Sequence, residues 1–437
     1  MKRIGIVVIA SMMAMFALAA CQSGTGGTSG AGGTGKTSGV TIKMIGGFDR
    51  YNKEDPFAVM MDEMLTEFEN ETGIKVEVEN TPWEQLESKV VLTNEAGNPP
   101  DIAWISSQKL ASLINADALL PLDDYVSETY TEEDLNDFAS HEKAATTSAL
   151  DGKKYLFLAS IHTRYLWYNK DLVQTPPTNW EELIEIGKQL TDPAKNQYGF
   201  GFWGNKHYGS VEIMYAPMIW SAGGRITDDN GRAVWDSPEA AEAVQFISDL
   251  VNVHKIAPES VLTQEITEID KIFLAGNIAM ILEGAYRKAA FWDLSDLGKA
   301  GKLGIAPMPG KDGPAPMFIN GWSLGIPKKA KHPDAAWKFI EFFNRTENQI
   351  KHALVKGGAP TRKSAWEDER FQGEYWDMTF EVLEKYSRPM DPIVYYQEGL
   401  DALNLAGLEY MLDPGSKDLK QLLEESARNF NTKYYPE

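Results

Sequence analysis

The sequence predicts an α/β fold, with mostly parallel sheets covered by helices, in a body holding more than one core. Three observations lead there. From residue 40 onward, short period-two or wholly apolar runs alternate with apolar stripes of helical period. The body beyond residue 39 runs to about 400 residues, past the ~250–300 at which a single core stops growing. Apolar residues make up 43% and charged residues 24% of the chain, the usage of an ordinary globular protein.

The N-terminus comes first. Lys2 and Arg3 precede an apolar run from Ile4 to Leu18, about fifteen residues, short for a span of ~20 but suited to a secretory signal. Leu18-Ala19-Ala20-Cys21 then resembles a bacterial lipobox, against the blander reading of an ordinary cleaved signal. The resemblance makes 1–20 a lipoprotein signal peptide and Cys21 an acylated N-terminus. Residues 21–39 follow as a tether. Eight of residues 22–39 are Gly and none is bulky and apolar, so the stretch cannot offset its ordering entropy. Such a chain reaches roughly 20–25 Å. Cys21 is the only cysteine, so the body has no disulfide and no thiolate for a metal.

In the body, "VTIKMIG" (40–46) reads as a strand. Phe57, Met60, Met61, Met64, Leu65 and Phe68 form the stripe of a helix that Gly73 stops. "IKVEVE" (74–79) alternates as a strand, a helix follows around Gln85–Thr93, and "NPPDIAWIS" holds a short buried strand. Thr178 with Glu181 suggests a capping box, and Ser237-Pro238 opens another helix. "IAMILEG" (278–284) reads as a buried strand, and helices begin near Pro333 and Lys417. No internal repeat is evident.

Strand exits are where α/β sheets place ligands, and here they are rich in aromatics and amides: "GGFDRYN", "WISSQK", "LASIHTRY", "GFGFWGNKHYG", "LEGAYR" and "FINGWS". Flat rings beside fork-like polar groups suit a sugar, which has C–H faces and a hydroxyl rim. Core packing is the competing reading for any single ring. The net charge of −21 disfavours nucleic acid and anionic lipid as partners, so no nucleic acid is expected. "GFGFWG" (199–204) matches a dinucleotide fingerprint, but no acidic ribose partner follows on a strand. His141-Glu142 lacks a second histidine, and "TDDNG" (227–231) reads as a hairpin turn, so no metal and no cofactor is expected.

Five ordered segments resemble one family. "NPPDIAWI" (98–105), "GKKYLFLASIHTRYLWYNKDLVQTPPTNWEEL" (152–183), "GNIAMILEGAY" (276–286), "GWSLGIPKKAKHPDAAWKFIEF" (321–342) and "GGAPTRKSA" (357–365) are similar, in order, to the family 1 extracellular solute-binding proteins, receptors of ATP-driven importers. The resemblance implies two lobes of the type II periplasmic-binding-protein-like fold, hinged by three crossings near Ser160, Asn320 and Ser364. The N-terminal lobe would be 40–160 plus 322–364, and the C-terminal lobe 161–321 plus 365–437. It implies no catalysis, a carbohydrate held in the cleft, delivery to permease subunits, and a monomer anchored through Cys21 on the outer face of the cell membrane. The family's contacts fall on Asp49, Arg50 and Tyr51, on Gln108 and Lys109, on His162, and on Glu283 and Tyr286. Ile105 stands where the family stacks a Trp, and His162 where it has a carboxylate. Trp83, Trp203 and Trp322 are therefore candidates for stacking, with Asn320 beside the groove and residues near Tyr395 and Tyr396 to close it. Arg50, Arg164, Arg287 and Arg362 raise an acidic sugar as a sharper possibility behind a neutral oligosaccharide. A lipid-anchored carbohydrate hydrolase is the rival reading.

Overall fold

The computed structural model describes residues 39–436. The signal-peptide, Cys21 and tether readings lie outside them, apart from Gly39. Eleven strands form three sheets among the described residues. The first is ordered β2-β1-β3-β10-β4, built from Thr41–Gly46 (β1), Lys75–Asn80 (β2), Ile102–Ser106 (β3), Leu156–Leu158 (β4) and Trp322–Gly325 (β10). The second is ordered β6-β7-β5-β8, from Arg164–Asn169 (β5), Tyr198–Gly201 (β6), Ile278–Gly284 (β7) and Leu303–Ala306 (β8). Met317–Phe318 (β9) and Ser387–Arg388 (β11) pair in parallel as a small third sheet.

Each larger sheet sits in its own core. Ile42, Met44, Trp104, Phe157 and Leu324 pack with the helix Pro56–Thr72 and the helix Pro333–Phe343. Tyr165, Trp167, Phe200, Met280 and Ile305 pack with the helix Trp180–Leu190 and the helix Pro238–Asn252. Local chemistry explains the elements. Asp55 caps the helix opening at Pro56 by accepting the Phe57 N–H, and Gly73 closes it in the left-handed region at φ 72°. All six residues of the expected stripe on that helix are buried.

Two expectations need correction. The sheets are mixed: β1–β2, β1–β3 and β6–β7 are parallel, whereas β3–β10, β4–β10, β5–β7 and β5–β8 are antiparallel. Parallel pairing follows where a helix carries the chain back over its own sheet. β5 and β10 instead arrive straight from the opposite half and enter reversed. The helix Trp180–Leu190 is capped by Asn179, which accepts the Glu182 N–H at 2.9 Å, so the cap lies one residue beyond Thr178. Glu182, rather than Glu181, reaches back to the Thr178 N–H at 2.8 Å.

Between the two sheets the chain passes side by side with itself. His162 bridges Asn320, and Ile161 bridges Ala359. "TDDNG" is a turn as expected, closed by a bridge from Thr227 to Ala233 with Gly231 at φ 81°.

One close approach yields a stability test. A Cβ on Gly199 of β6 would stand 2.4 Å from the Gly187 Cα and carbonyl oxygen, on the helix Trp180–Leu190. Backbone cannot yield as a side chain can. Gly199→Ala should lose about 1–3 kcal/mol and melt visibly lower by circular dichroism; an unchanged melting temperature would refute this packing.

Candidate functional site

A cavity of about 480 Å³ lies against the crossing at Asn320 and Gly321 and takes its walls from both halves of the molecule. Trp83, Glu84, Glu87, Ser106, Gln108 and Lys109 come from the first half, with Trp322 at the start of β10. His207, Tyr208, Glu212 and Tyr396 come from the second.

The aromatic wall is built from strand ends. Trp322 pairs across to Ser106, the last residue of β3, so its indole stands at the carboxyl edge of the first sheet. Trp83 lies flat on the backbone leaving β1, where a Cβ on Gly47 would be 2.1 Å from its ring. The two indoles meet with centroids 4.3 Å apart. Across the cavity, Trp203, His207 and Tyr208 stack in a row at 4.3 and 4.5 Å.

Glu212 is the polar centre. It sits in a π-helical turn, Val211–Tyr215, between two short α-helical pieces. Pro217 would crowd the Ile213 carbonyl in a regular α-helix, and a widened turn relieves that clash. One Glu212 carboxylate oxygen accepts from Gln108 Nε2 at 3.2 Å and from the Tyr396 hydroxyl at 2.7 Å. The other lies 3.8 Å from the Arg164 guanidinium, which also donates to Asn320 Oδ1 at 3.1 Å. Burial pushes the Glu212 carboxyl up, against the pull of Arg164. Burial likewise pushes Glu87 up, although its carboxylate accepts the Ser106 N–H at 2.9 Å. The Lys109 ammonium rests over the rings of Tyr208 and Tyr396, at 5.1 and 5.3 Å.

Of the residues expected from the sequence, Trp83, Gln108, Lys109, Asn320 and Trp322 line this cavity together. Others stand behind or away from it. His162 is buried with its Nε2 2.8 Å from Ser160 Oγ, and burial lowers its pKa to about 3, so it is neutral. Trp203 backs His207. Glu283 is fully buried and pairs with Arg287 at 3.2 Å. Tyr286 lies beneath Arg164 and Arg287 at 5.4 and 5.2 Å. Asp49 accepts the Tyr51 N–H in a turn, and Tyr51 itself is 73% exposed. Tyr395 packs on Tyr434, and its neighbour Tyr396 is the one that enters the cavity.

The arginines proposed to grip an acidic sugar all have partners within the protein. Arg50 pairs with Asp62 and Glu69 at 2.9 and 2.7 Å, and Arg287 with Asp270 at 2.7 Å. Arg362 pairs with Asp137 at 3.1 Å, and Arg164 faces Glu212. Charge neutralisation inside the fold accounts for them. The sequence reading gave no role to Glu84, Glu87 or Glu212; it reached His207 and Tyr208 only within the exit "GFGFWGNKHYG", and Tyr396 only as a neighbour of Tyr395 near the groove. One signal was there: Glu212 interrupts an otherwise apolar helical run from Val211 to Tyr215. Glu142, beside His141, pairs with Lys154 at 2.8 Å. No group of three or more metal-ligating side chains occurs among the described residues.

Two helix-flanked mixed sheets, crossed by adjacent chain passages and lined by rings and polar groups where they face each other, define a two-lobed solute-binding protein of the type II periplasmic class. The model of the bacterial extracellular solute-binding protein family matches residues 52–350, and the chain belongs to that family. It is similar in structure to the maltose-bound T. maritima MalE3, with a TM-score of 0.77 and 25% identity over 90% of this chain and 100% of that one. Among curated proteins it is similar to the maltotriose-binding protein of Pyrococcus abyssi, 26% identical over 78% of this chain and 72% of that protein. The arabinooligosaccharide-binding protein of Halalkalibacterium halodurans is 25% identical over 71% of each chain.

The raised Glu87 carboxyl has a consequence for stability. Folding favours its protonated form, so the native state binds more protons than the unfolded one from about pH 4.5, the ordinary value, up to the raised native one. Its contribution therefore falls as pH rises through that window. Glu87→Gln keeps an acceptor for the Ser106 N–H and should melt higher than the parent at pH 7, with the gap closing towards pH 4.5. A gap independent of pH, measured by differential scanning fluorimetry, would contradict the assignment.

Proposed function

We propose that this protein is the extracellular receptor of an ATP-driven importer, that it captures a carbohydrate, in the first instance an oligosaccharide, between its two lobes, and that it delivers it unchanged to permease subunits. The observation that carries the reading is the cavity shared by both halves, where two indole faces stand beside Gln108, Lys109, Asn320 and Glu212. Rings take the C–H faces of a sugar, and carboxylate, amide and ammonium groups take its hydroxyls. Membership of the family and the sugar-binding names of its relatives support the same ligand class.

The mechanism is capture by closure. In this reading the lobes are 40–160 plus 322–364 and 161–321 plus 365–437, turning about crossings near Ser160, Asn320 and Ser364, close to the bridges His162–Asn320 and Ile161–Ala359. Contacts divided between lobes are complete only when the lobes close, so ligand shifts an open–closed equilibrium. A micromolar receptor has ~8 kcal/mol of net binding energy, of which part is spent on closing. The importer recognises the closed shape. The receptor acts as a monomer, and acylated Cys21 with the tether to residue 39 holds it near the importer on the outer face of the membrane. Two or more acyl chains, at ~0.8 kcal/mol per buried CH₂, anchor such a body where one chain does so only marginally. No described helix is long and apolar enough to cross a membrane itself.

A thermal-shift panel of mono- and oligosaccharides tests the reading. The binding sugars should raise the melting temperature and be recovered intact, and small-angle scattering should register contraction. Trp322→Ala should weaken the best ligand about tenfold or more, read by calorimetry. A cleaved sugar would make the protein an enzyme, and full affinity in the variant would misplace the cleft.

A further inference from the structure

The cavity carries charge largely of one sign. Glu84, Glu87 and Glu212 line it, and among the lining side chains only Lys109 opposes them with a full positive charge. Burial holds His207 below its ordinary pKa, and its Nδ1 accepts the Gly209 N–H at 2.9 Å, so it is a neutral ring here. Arg164 reaches Glu212 from behind and is committed to it and to Asn320. Asp401, on the helix Tyr396–Leu412, approaches Lys109 and His207 and is itself pushed up by burial. Burial pushes Glu87 and Glu212 up even with Lys109 near both and Arg164 at Glu212, so their charge is only partly offset and a further cation in the cavity would stabilise it.

The cavity already shows what it accepts. Lys109 places an ammonium against two tyrosine faces, with Glu212 and Glu87 close enough to act on both groups electrostatically. A second pair of ring faces, Trp83 and Trp322, stands beside Glu84 and Glu87 on the first half. None of the four arginines considered above offers a free guanidinium for an anion.

We propose, resting on the carbohydrate reading above, that the preferred ligand is a sugar bearing a free protonated amine, a hexosamine unit of an oligosaccharide. Its ring lies against Trp83 and Trp322, and its ammonium donates to Glu84 and Glu87. Charge-assisted hydrogen bonds of this kind are about twice as strong as neutral ones, and the rings add a cation–π attraction.

The test is titration calorimetry with matched trisaccharides: glucosamine, N-acetylglucosamine, glucose and galacturonate. The amine-bearing trimer should bind about tenfold tighter or better than the glucose trimer, with an advantage that shrinks as salt rises. The galacturonate trimer should bind weakest. Glu84→Gln combined with Glu87→Gln should cut amine-sugar affinity by a larger factor than glucose-trimer affinity. Equal or tighter binding of the acetylated, neutral or acidic trimers would overturn the proposal and leave the carbohydrate reading standing. So would a preference that survives the double substitution. If no sugar of any kind bound, the carbohydrate reading would fall, and this inference with it.

Discussion

The Glu212 carboxylate ties the two halves together at the cavity. A buried carboxylate alone would cost several kcal/mol. It is tolerated here because Gln108 comes to it from beyond β3, Tyr396 from the C-terminal helical region and Arg164 from the start of β5. Gln108 belongs to the first half and the other two to the second. The same carboxylate thus makes the halves meet and leaves strong hydrogen-bonding groups at the place of meeting. Ser112 adds a neighbouring tie by donating to the Val394 carbonyl.

That meeting point exists because of how the strands return. β5 and β10 leave the crossing and enter opposite sheets directly, each antiparallel to its neighbours. A strand entering this way has its first residue at the crossing, so Arg164 and Trp322 both begin strands at the cleft. β1 and β3 run parallel and end there. Strand beginnings from one route and strand ends from the other therefore converge, and a site built on them is rigid.

Aromatic presentation depends on small residues as much as on large ones. Gly47 lets the Trp83 ring lie on bare backbone, which frees its other contacts for Trp322 and the cavity. On the opposite wall a Cβ on Gly209 would stand 2.3 Å from the Trp203 ring, which supports His207 and Tyr208 in turn. Rings held this way lose little entropy when a ligand arrives.

The sequence by itself determined the local elements. The stripe from Phe57 to Phe68, the stop at Gly73 and the buried run at 278–284 are short-range consequences of side-chain period and backbone freedom, so neighbours along the chain suffice to read them. Trp83, Gln108, Lys109, Asn320 and Trp322 were legible because each follows or precedes a strand or marks a family segment. Only the tertiary structure decided strand direction at β5 and β10, because that depends on which half the chain has just left. Only it decided the charge of the cavity. Whether Arg50 faces a ligand or Asp62, and whether Glu212 meets Gln108 from 104 positions away, are matters of Coulomb energy and desolvation between groups that the linear chain keeps far apart.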